Sequence, residues 1–285
     1  MKSNIKNIIV LVVTVVIAFI ASMDFLSMHK IEKIGDNPNI TEIKMLSEYS
    51  PRLKGTSLDT EVYFFDSGVD GGTFLILGGT HPNESAGLVA ATALIENIEV
   101  EEGRVIIIPR TNNSGFTHTS PFDGMQDFFT LTLSDGSERT FRVGNRLTNP
   151  VHQWPDRNYY EGTSGRTIYG TENAEVRNVN RLYYGTDDGV RTEQVCYGIY
   201  NLILEENVSI TMDMHEGSPE FLYLDCTMVN MKRDNTTAMS IASDMALSMN
   251  FDDLDMRAEY SGATSYGLSH RSLGDNTDSI MTLME

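Results

Sequence analysis

The sequence contains little cysteine and little positive charge. Its two cysteines, Cys196 and Cys226, form neither a Cys-x-x-Cys pair nor a metal-binding cluster. They are compatible with one disulfide or with two buried free thiols. The 21 lysines and arginines are outnumbered by 40 aspartates and glutamates, so the formal charge is -19. This negative charge repels phosphate groups and anionic lipids, so neither nucleic acid nor an anionic membrane surface is an expected partner. An anionic substrate would need a local cluster of cations.

Other common features are missing as well. The 285 residues contain no internal repeat, no low-complexity tract and no Gly-x-Ser-x-Gly elbow, and the last absence argues against serine hydrolysis. What is present is a hydrophobic content of 40%, which is enough for a substantial core. Length and composition therefore predict a globular chain with one large domain or two small ones.

The first 22 residues differ in kind from the rest. Lys2 and Lys6 precede an uncharged apolar run over residues 8–21, which is the layout of a secretory signal. The run is short for a membrane span of about 20 residues. Residues 1–22 are therefore predicted to be a cleaved signal peptide or a retained N-terminal anchor. Either way the protein is expected to be exported, to the extracellular space or periplasm or to the outer face of the cytoplasmic membrane.

The remainder of the chain predicts an α/β fold. Residues 23–50 are polar and aperiodic and are predicted to be a linker, followed by one domain over 51–285. Short apolar runs such as EVYFFDSG, TFLILGG and GRVIIIPR predict strands, and SAGLVAATALIENI between two of them predicts a helix. Strands that alternate with helices indicate a parallel or mixed sheet covered by helices. Residues 116–176 are predicted to be a long loop region of the kind that shapes a site.

His81 and Glu84 stand where a predicted buried strand has to end. The ligand crevice of an open α/β sheet lies beyond the carboxyl ends of its strands. On the turn after a pair of glycines, these two side chains can converge on one ion. His29 and Glu32 have the same spacing, but they follow the apolar leader with no strand before them. We therefore assign no function to that second pair.

A third candidate ligand comes from another strand end. A hydrolytic zinc site takes three protein ligands, for which two histidines and one glutamate are a known set, and it leaves a position for water. The run VSITMDMHEG contains Asp213 and His215, which project to the same side of the strand, so Asp213 could orient a ligand from behind. Either histidine alone is equally well explained as a polar residue at a sheet edge. Their joint occurrence at two strand ends favours a metal site.

Four motifs in order resemble one family. GGTHPNESAG, RNVNRLYYG, DMHEGSPE and GLSHRSLGD with the terminal TLME are similar to the aspartoacylase and succinylglutamate desuccinylase branch of the zinc carboxypeptidase superfamily. The resemblance covers residues 51–285 and implies a zinc hydrolase domain with a carboxypeptidase-like mixed central sheet flanked by helices. It implies that His81, Glu84 and His215 bind one Zn2+ per chain. Because the family continues past its catalytic glutamate, it also implies a chain truncated at the C-terminus.

The resemblance assigns roles to further residues. Asn180 and Arg181 fall on the pair that holds the substrate carboxylate, and Arg181 has the planar fork that suits this role. Glu285 falls on the catalytic glutamate, which takes the proton of water and delivers it to the leaving amine. Arg146 and Arg157 are candidates for a cation that stabilises the oxyanion, and the choice between them stays open. Without the family, Glu285 would be interpreted as a solvated terminal residue and each arginine as a surface or loop charge.

The motifs and the resemblance together predict an exported zinc-dependent hydrolase. It would cleave the amide bond of an N-acyl amino acid or the C-terminal residue of a peptide. Its expected partner is therefore a small-molecule or peptide substrate with a free carboxylate. The alternative is a non-catalytic secreted or membrane-tethered protein that binds carboxylates on the same fold. The presence of all three candidate ligands together with Glu285 favours the enzyme.

Overall fold

The computed structural model describes residues 2–27, 30–119, 126–153, 159–161, 167–169, 175–217, 225–230, 235–250, 255–260 and 266–285. The helices are α1 Lys2–Ser27, α2 Ser85–Asn97, α3 Pro150–Gln153, α4 Arg191–Glu205, α5 Asn235–Asn250 and α6 Ser269–Asn276. The strands are β1 Glu42–Met45, β2 Glu61–Asp66, β3 Thr73–Leu77, β4 Arg104–Ile108, β5 Phe128–Thr132, β6 Glu138–Arg142, β7 Tyr159–Glu161, β8 Thr167–Tyr169, β9 Ile210–Met214, β10 Cys226–Val229, β11 Arg257–Tyr260 and β12 Ile280–Met284. Short 3-10 turns occur at Leu46–Glu48, Pro51–Leu53, Asn113–Thr117, Glu175–Arg177 and Val179–Arg181.

A mixed 8-stranded sheet organises the domain in the order β1-β2-β4-β3-β9-β12-β10-β11. The central strands β4, β3, β9 and β12 run parallel to one another. Antiparallel pairs join β1 to β2, β2 to β4 and β12 to β10, and β11 runs parallel to β10. The mixed α/β fold that the sequence predicts is confirmed. Because the central strands are parallel, their carboxyl ends meet at one edge of the sheet.

The central strands β3 and β4 are largely apolar because both faces of the sheet are covered. Leu75 and Leu77 of β3 belong to one buried cluster, which includes Leu202 of α4. Ile76, which lies between them in the chain, belongs to a second cluster with Ile95 of α2. Successive side chains of a strand project to opposite faces. An unbroken apolar run is therefore what a strand covered by helices on both faces requires.

Two glycines bring α2 against the end of β3. A side chain at Gly78 would place its Cβ 2.6 Å from the carbonyl oxygen of Gly87 in α2, so a larger residue does not fit. Gly79 has a φ of 60°, in the left-handed region that favours glycine, and a Cβ there would lie 2.9 Å from the Phe116 ring. The chain therefore turns sharply after β3. This turn places residues 80–84 beyond the end of the strand.

Two stretches differ from their sequence-based description. Part of the predicted linker 23–50 lies in the sheet, because β1 pairs with β2. Residues 116–176, predicted to be a loop region, include the antiparallel pairs β5–β6 and β7–β8 and the short helix α3. β5 is exposed or half-buried at every position. It therefore lacks the apolar run by which a core strand is recognised in a sequence.

Both cysteines are buried free thiols. Cys196 lies on α4 inside the larger core cluster, and Cys226 begins β10. Burial raises the pKa of Cys226 to about 11, so this thiol stays protonated at neutral pH. Of the two states compatible with the sequence, the structure has the free thiols.

The N-terminal helix α1 is exposed to its surroundings. Its segment Asn4–Ser27 is 24 residues long, and the most apolar stretch within it has a mean hydropathy of 2.7 and no part buried in the protein. By length and composition this helix could cross a membrane, and it is longer than the apolar run over residues 8–21. A signal sequence has the same properties.

Candidate metal centre

Three neighbouring parallel strands carry candidate residues just past their carboxyl ends. β3 leads to His81, β9 is followed directly by His215, and β12 is followed directly by Glu285. β9 pairs with both β3 and β12. The His215 N–H also donates to the Met284 carbonyl oxygen at 2.8 Å, which extends the pairing by one residue. The fold therefore brings these three side chains to the edge where ligands bind in open α/β sheets.

His81, Glu84 and His215 converge on one point. Nδ1 of His81 lies 2.6 Å from Glu84 Oε1, and Nδ1 of His215 lies 2.7 Å from Glu84 Oε2. The centroids of the two imidazoles are 4.6 Å apart, and one ligand atom of each residue lies within 4.8 Å of the others. A single ion can therefore contact all three residues, as the sequence-based hypothesis requires.

Each histidine is held from behind by a side-chain oxygen. His81 Nε2 lies 3.0 Å from Asn178 Oδ1, and His215 Nε2 lies 3.1 Å from Asp213 Oδ2, the contact predicted for Asp213. Because both oxygens accept, each ring can donate from Nε2 and leave Nδ1 to a metal. Asp213 is fixed in turn by the Thr80 hydroxyl, which donates to Oδ1 at 2.6 Å. Two histidines supported in this way, with a carboxylate between them, suit a divalent metal such as zinc.

Burial and charge set the protonation of this group. Burial lowers the pKa of His81, and the attraction of Glu84 offsets only part of that effect. Burial also lowers the pKa of His215, but Asp213 and Glu84 outweigh it, so the net pKa is raised. Burial alone would raise the pKa of Glu84. The two imidazoles lower it by more than burial raises it, so the net pKa is lowered and the carboxylate stays ionised. The metal-free group therefore holds a proton on His215 that must leave when a cation binds.

The residue after His215 also joins the centre. The Glu216 N–H donates to Glu84 Oε2 at 3.3 Å. The Glu216 carboxylate accepts a hydrogen bond from the Ala86 N–H in the first turn of α2, where the helix dipole favours negative charge. Glu216 thus fastens the loop after β9 to the start of α2. The loop after β9 carries His215, and the turn that leads into α2 carries His81 and Glu84.

Glu285 lies beside the ligands on the continuation of β12. Its N–H donates to the Cys226 carbonyl oxygen at 3.0 Å, and its own carbonyl accepts from the Cys226 N–H at 3.2 Å. Burial raises the pKa of its carboxyl group, and the charges of His215, Glu84 and Arg181 also act on it. A half-buried carboxyl group on the strand next to His215 can exchange protons within the site.

The arginines predicted to act on the substrate meet at Glu175. Arg181 Nε lies 3.3 Å from Glu175 Oε2, and Arg146 Nη2 lies 3.1 Å from Glu175 Oε1. Arg146 also acts on the metal centre, because its charge adds to the larger effect of burial in lowering the pKa of His81. Both arginines therefore lie on one side of the site. Arg157, the other candidate for the oxyanion, lies outside the described residues.

Asn180 is buried next to the centre. Its Nδ2 lies 3.3 Å from His215 Nε2, and its Oδ1 accepts from the Ser269 N–H at 2.8 Å. Its neighbour Arg181 donates from Nη1 to the Asn180 carbonyl oxygen at 2.7 Å. The amide thus connects the turn at 179–181 to α6 and to β9. Its contact with a substrate carboxylate stays a prediction.

Sequence reasoning missed three residues of the site: Asn178, Glu175 and Glu216. Asn178 lies inside the RNVNR motif, and Glu216 directly follows His215, so both stood beside residues that had been assigned. The directions of their side chains depend on the backbone of a 3-10 turn and of a loop, which spacing alone does not give. Glu175 carries no signal in the sequence that distinguishes it from a solvated glutamate.

No protein-family model matches the chain, and no curated protein matches its sequence. Solved structures do match. A metallo-carboxypeptidase from Burkholderia cenocepacia has a TM-score of 0.51 and 12% identity over 92% of this chain and 58% of that one. Bovine thrombin-activatable fibrinolysis inhibitor, solved in complex with tick carboxypeptidase inhibitor, has a TM-score of 0.53 and 15% identity over 87% of this chain and 80% of that one. The chain has a carboxypeptidase-like fold.

A succinylglutamate desuccinylase from Silicibacter sp. TM1040 also matches, with a TM-score of 0.47 and 14% identity over 79% of this chain. The present chain spans about half of that protein, 53% of its length. The structural matches include desuccinylase and aspartoacylase family proteins as well as metallocarboxypeptidases. The matches with TM-scores of 0.51 and 0.53 confirm the carboxypeptidase-like fold that the four motifs implied.

Proposed function

We propose that the protein is an exported zinc-dependent hydrolase that cleaves the amide bond of an N-acyl amino acid or the C-terminal residue of a peptide. The observation that carries this proposal is the convergence of His81, Glu84 and His215 at one sheet edge, with Glu285 on the adjacent strand. The carboxypeptidase-like fold, which the chain shares with a metallo-carboxypeptidase, supports a hydrolytic enzyme.

His81, Glu84 and His215 would hold one zinc ion. When bound, zinc lowers the pKa of a water molecule to about 7 and polarises the carbonyl group that is to be cleaved. Glu285 takes a proton from the attacking water on its carboxylate and delivers it to the nitrogen of the departing amine as the C–N bond breaks. Burial, which raises the pKa of Glu285, makes the protonated carboxyl group easier to form during this transfer.

The substrate carboxylate binds on the arginine side of the site. Arg181 presents a planar guanidinium, which can form two parallel hydrogen bonds with a carboxylate. Asn180 holds the turn that carries Arg181 against β9 and α6. Arg146, whose charge already acts on His81, is proposed to stabilise negative charge that develops on the cleaved carbonyl.

The exposed helix α1 supports export of the catalytic domain. We propose that residues 1–22 are a signal peptide or an anchor, and that the catalytic domain over 51–285 acts outside the cytoplasm. The exposed apolar surface of α1 is what either role needs, because a segment that inserts in a membrane cannot pack into its own domain.

The test combines metal analysis with a substrate panel. Purified protein is expected to bind close to one zinc ion per chain, and to hydrolyse some N-acyl amino acids or short peptides in a reaction that a chelator stops and zinc restores. Arg181→Ala is expected to slow substrates with a free carboxylate more than their amidated counterparts. Failure to bind zinc would overturn the proposed centre. Zinc binding without turnover across the panel would favour the alternative, a carboxylate-binding protein.

A further inference from the structure

Helix α2 begins at a residue whose side chain does not cap it. The first four N–H groups of an α-helix have no partner within the helix, and the side chain of the N-cap residue commonly accepts one of them. Glu84 is the N-cap residue of α2, but its side chain accepts no hydrogen bond from the helix. Its two carboxylate oxygens lie instead 2.6 Å from His81 Nδ1 and 2.7 Å from His215 Nδ1. The candidate metal ligand thus occupies the capping position without capping the helix.

The missing acceptor comes from the loop after β9. The Glu216 carboxylate accepts a hydrogen bond from the N–H of Ala86, the second residue of α2. The backbone N–H of Glu216 donates in turn to Glu84 Oε2 at 3.3 Å. The helix dipole favours a carboxylate at this end of α2. Glu216 therefore contacts both Glu84 and the helix that follows it.

Close packing of α2 on β9 makes this contact possible. A side chain at Gly87 would place its Cβ 2.8 Å from the Met214 carbonyl oxygen, so a larger residue does not fit. The first turn of α2 therefore lies directly against the end of β9. Glu216 follows Met214 by two residues, and both Glu216 and Ala86 are exposed. Their hydrogen bond thus joins the helix to the strand end at the surface of the protein.

We propose that Glu216 is a positioning residue of the metal centre. It caps α2 from the loop after β9, and this bond holds Glu84 and His215 at the spacing that a metal ion needs. The capping position of α2 is thereby left free to supply a ligand. This role rests on the proposed zinc centre, and Glu216 acts through the two ligands rather than on the ion.

The physical reason is that the bond orders two distant parts of the chain before the ion arrives. Glu84 and His215 are 131 residues apart in sequence. When the segments that carry them are already joined, less freedom is lost on binding. An N-cap hydrogen bond typically shifts an equilibrium about fivefold. Loss of the Glu216 acceptor should therefore lower zinc affinity by about fivefold, because the ion alone must then hold the segments together.

A purely structural role for Glu216 predicts a different result. If the carboxylate only stabilised the start of α2, its loss would destabilise the metal-free and the zinc-loaded protein equally. The melting temperature of both forms would fall, and zinc affinity would stay unchanged. Zinc affinity therefore separates the two roles.

The experiment compares Glu216→Gln with Glu216→Leu in the full chain. Both variants remove the charge and keep a side chain of similar size, but only glutamine retains an oxygen that can accept from the Ala86 N–H. Competition with a chromogenic chelator gives the zinc affinity. Glu216→Gln is expected to stay within about twofold of the wild type because the lost charge is exposed and screened. Glu216→Leu is expected to bind zinc about fivefold more weakly. Glu101→Gln and Glu101→Leu, at another exposed position, should both match the wild type.

A second variant removes the same bond from the other side. Proline has no backbone N–H and is tolerated in the first turn of a helix, so Ala86→Pro removes the donor and leaves Glu216 in place. It should weaken zinc binding as Glu216→Leu does, and the double variant should be no weaker than either single variant, because both act through one bond. Circular dichroism and the melting temperature of the metal-free protein establish that each variant is folded. If the proline variant does not fold, the comparison of glutamine with leucine decides.

The outcomes distinguish the role of Glu216 from the proposed function. Equal zinc affinity in Glu216→Gln and Glu216→Leu, the same loss in Glu101→Leu, or fully additive losses in the double variant would overturn that role. Zinc binding with the expected pattern but no hydrolysis of any substrate would support it while the proposed hydrolase failed. Hydrolysis with equal affinities would reject the role of Glu216 alone. If no form bound zinc, the metal centre and the role of Glu216 would both be rejected.

Discussion

His81 and His215 present the same ring nitrogen to the same carboxylate, but different groups hold them from behind. A carboxylate, Asp213, lies behind His215, and a neutral amide, Asn178, lies behind His81. Both supporting residues have 0% of their surface exposed, so burial does not distinguish them. The consequence is visible in the pKa directions: that of His215 is raised, and that of His81 is lowered.

The difference teaches how the site limits buried negative charge. Glu84 already places one carboxylate between the two rings. A carboxylate behind each histidine would bury a third negative charge in a region that is costly for unpaired ions. The carboxylate of Asp213 helps to raise the pKa of His215, whereas the neutral amide of Asn178 orients His81 without adding a charge. The five predictions below test this asymmetry and the chemistry beside it, beginning with the changes that should have the largest effects.

Removing either histidine should abolish the centre, whatever lies behind it. His81→Ala and His215→Ala each leave two ligands, and we expect both variants to lose stoichiometric zinc and with it hydrolytic activity. Metal analysis after dialysis measures this directly. His152→Ala is the matched control, because His152 contacts Ser114 and is not among the three candidate ligands. If either variant retained zinc, the histidine removed in that variant would not be required for metal binding.

Removing Glu285 should separate chemistry from metal binding. In Glu285→Gln both histidines and both of their supports remain, so zinc content should equal that of the wild type. We expect kcat to fall by about 10² to 10⁴, the range typical for loss of a general acid or base. Steady-state kinetics on the best substrate of the panel give this value. Wild-type turnover would show that another group moves the proton.

The two histidines also show what a sequence can reveal. Asp213 and His215 lie two residues apart on one strand, so their shared face follows from the geometry of that strand. Asn178 is 97 residues from His81 in the chain and reaches it from a position between two 3-10 turns. The sequence therefore predicted the support of His215 and missed the support of His81. Local periodicity gives contacts within an element, whereas contacts across the fold require coordinates.

The two glutamates that follow a histidine by three residues make a related point. Glu84 comes after a buried strand and a pair of glycines, and it lies between the two imidazoles. Glu32 follows the apolar leader, and its carboxylate forms a buried ion pair with Arg110. Identical spacing thus leads to different environments. The strand before the motif, which the apolar pattern predicts, is the feature that separated the two.

Neutralising the support of His215 should weaken zinc binding without removing a ligand. Asp213→Asn keeps the shape of the side chain and removes its charge, and we expect zinc affinity to fall by about 10-fold to 100-fold. Competition with a chromogenic chelator measures the change. Asp135→Asn, at an exposed turn, serves as the matched control. An affinity equal to that of the wild type would mean that the charge behind His215 has no influence on the metal.

The same variant should differ in its dependence on pH. Asp213 helps to raise the pKa of His215, so in the wild type a proton competes with zinc for Nδ1 at higher pH than it does in Asp213→Asn. As the pH falls, the affinity of the wild type should therefore decline first. The gap between the two proteins should be widest at high pH and should narrow toward acid. A gap that widens as the pH falls would contradict the assigned role of Asp213.

The smallest loss of zinc affinity is expected when the residue behind His81 is changed. Asn178→Ala removes a neutral hydrogen-bond acceptor, worth about 1 kcal/mol, so zinc affinity should fall only about fivefold. A charge-assisted contact is roughly twice as strong, which is why the loss should be smaller than that in Asp213→Asn. Asn97→Ala, on the exposed face of α2, controls for the loss of an asparagine in general. If Asn178→Ala lost as much zinc affinity as Asp213→Asn, the asymmetry between the two histidines would have no energetic consequence, and the amide and the carboxylate would be equivalent supports.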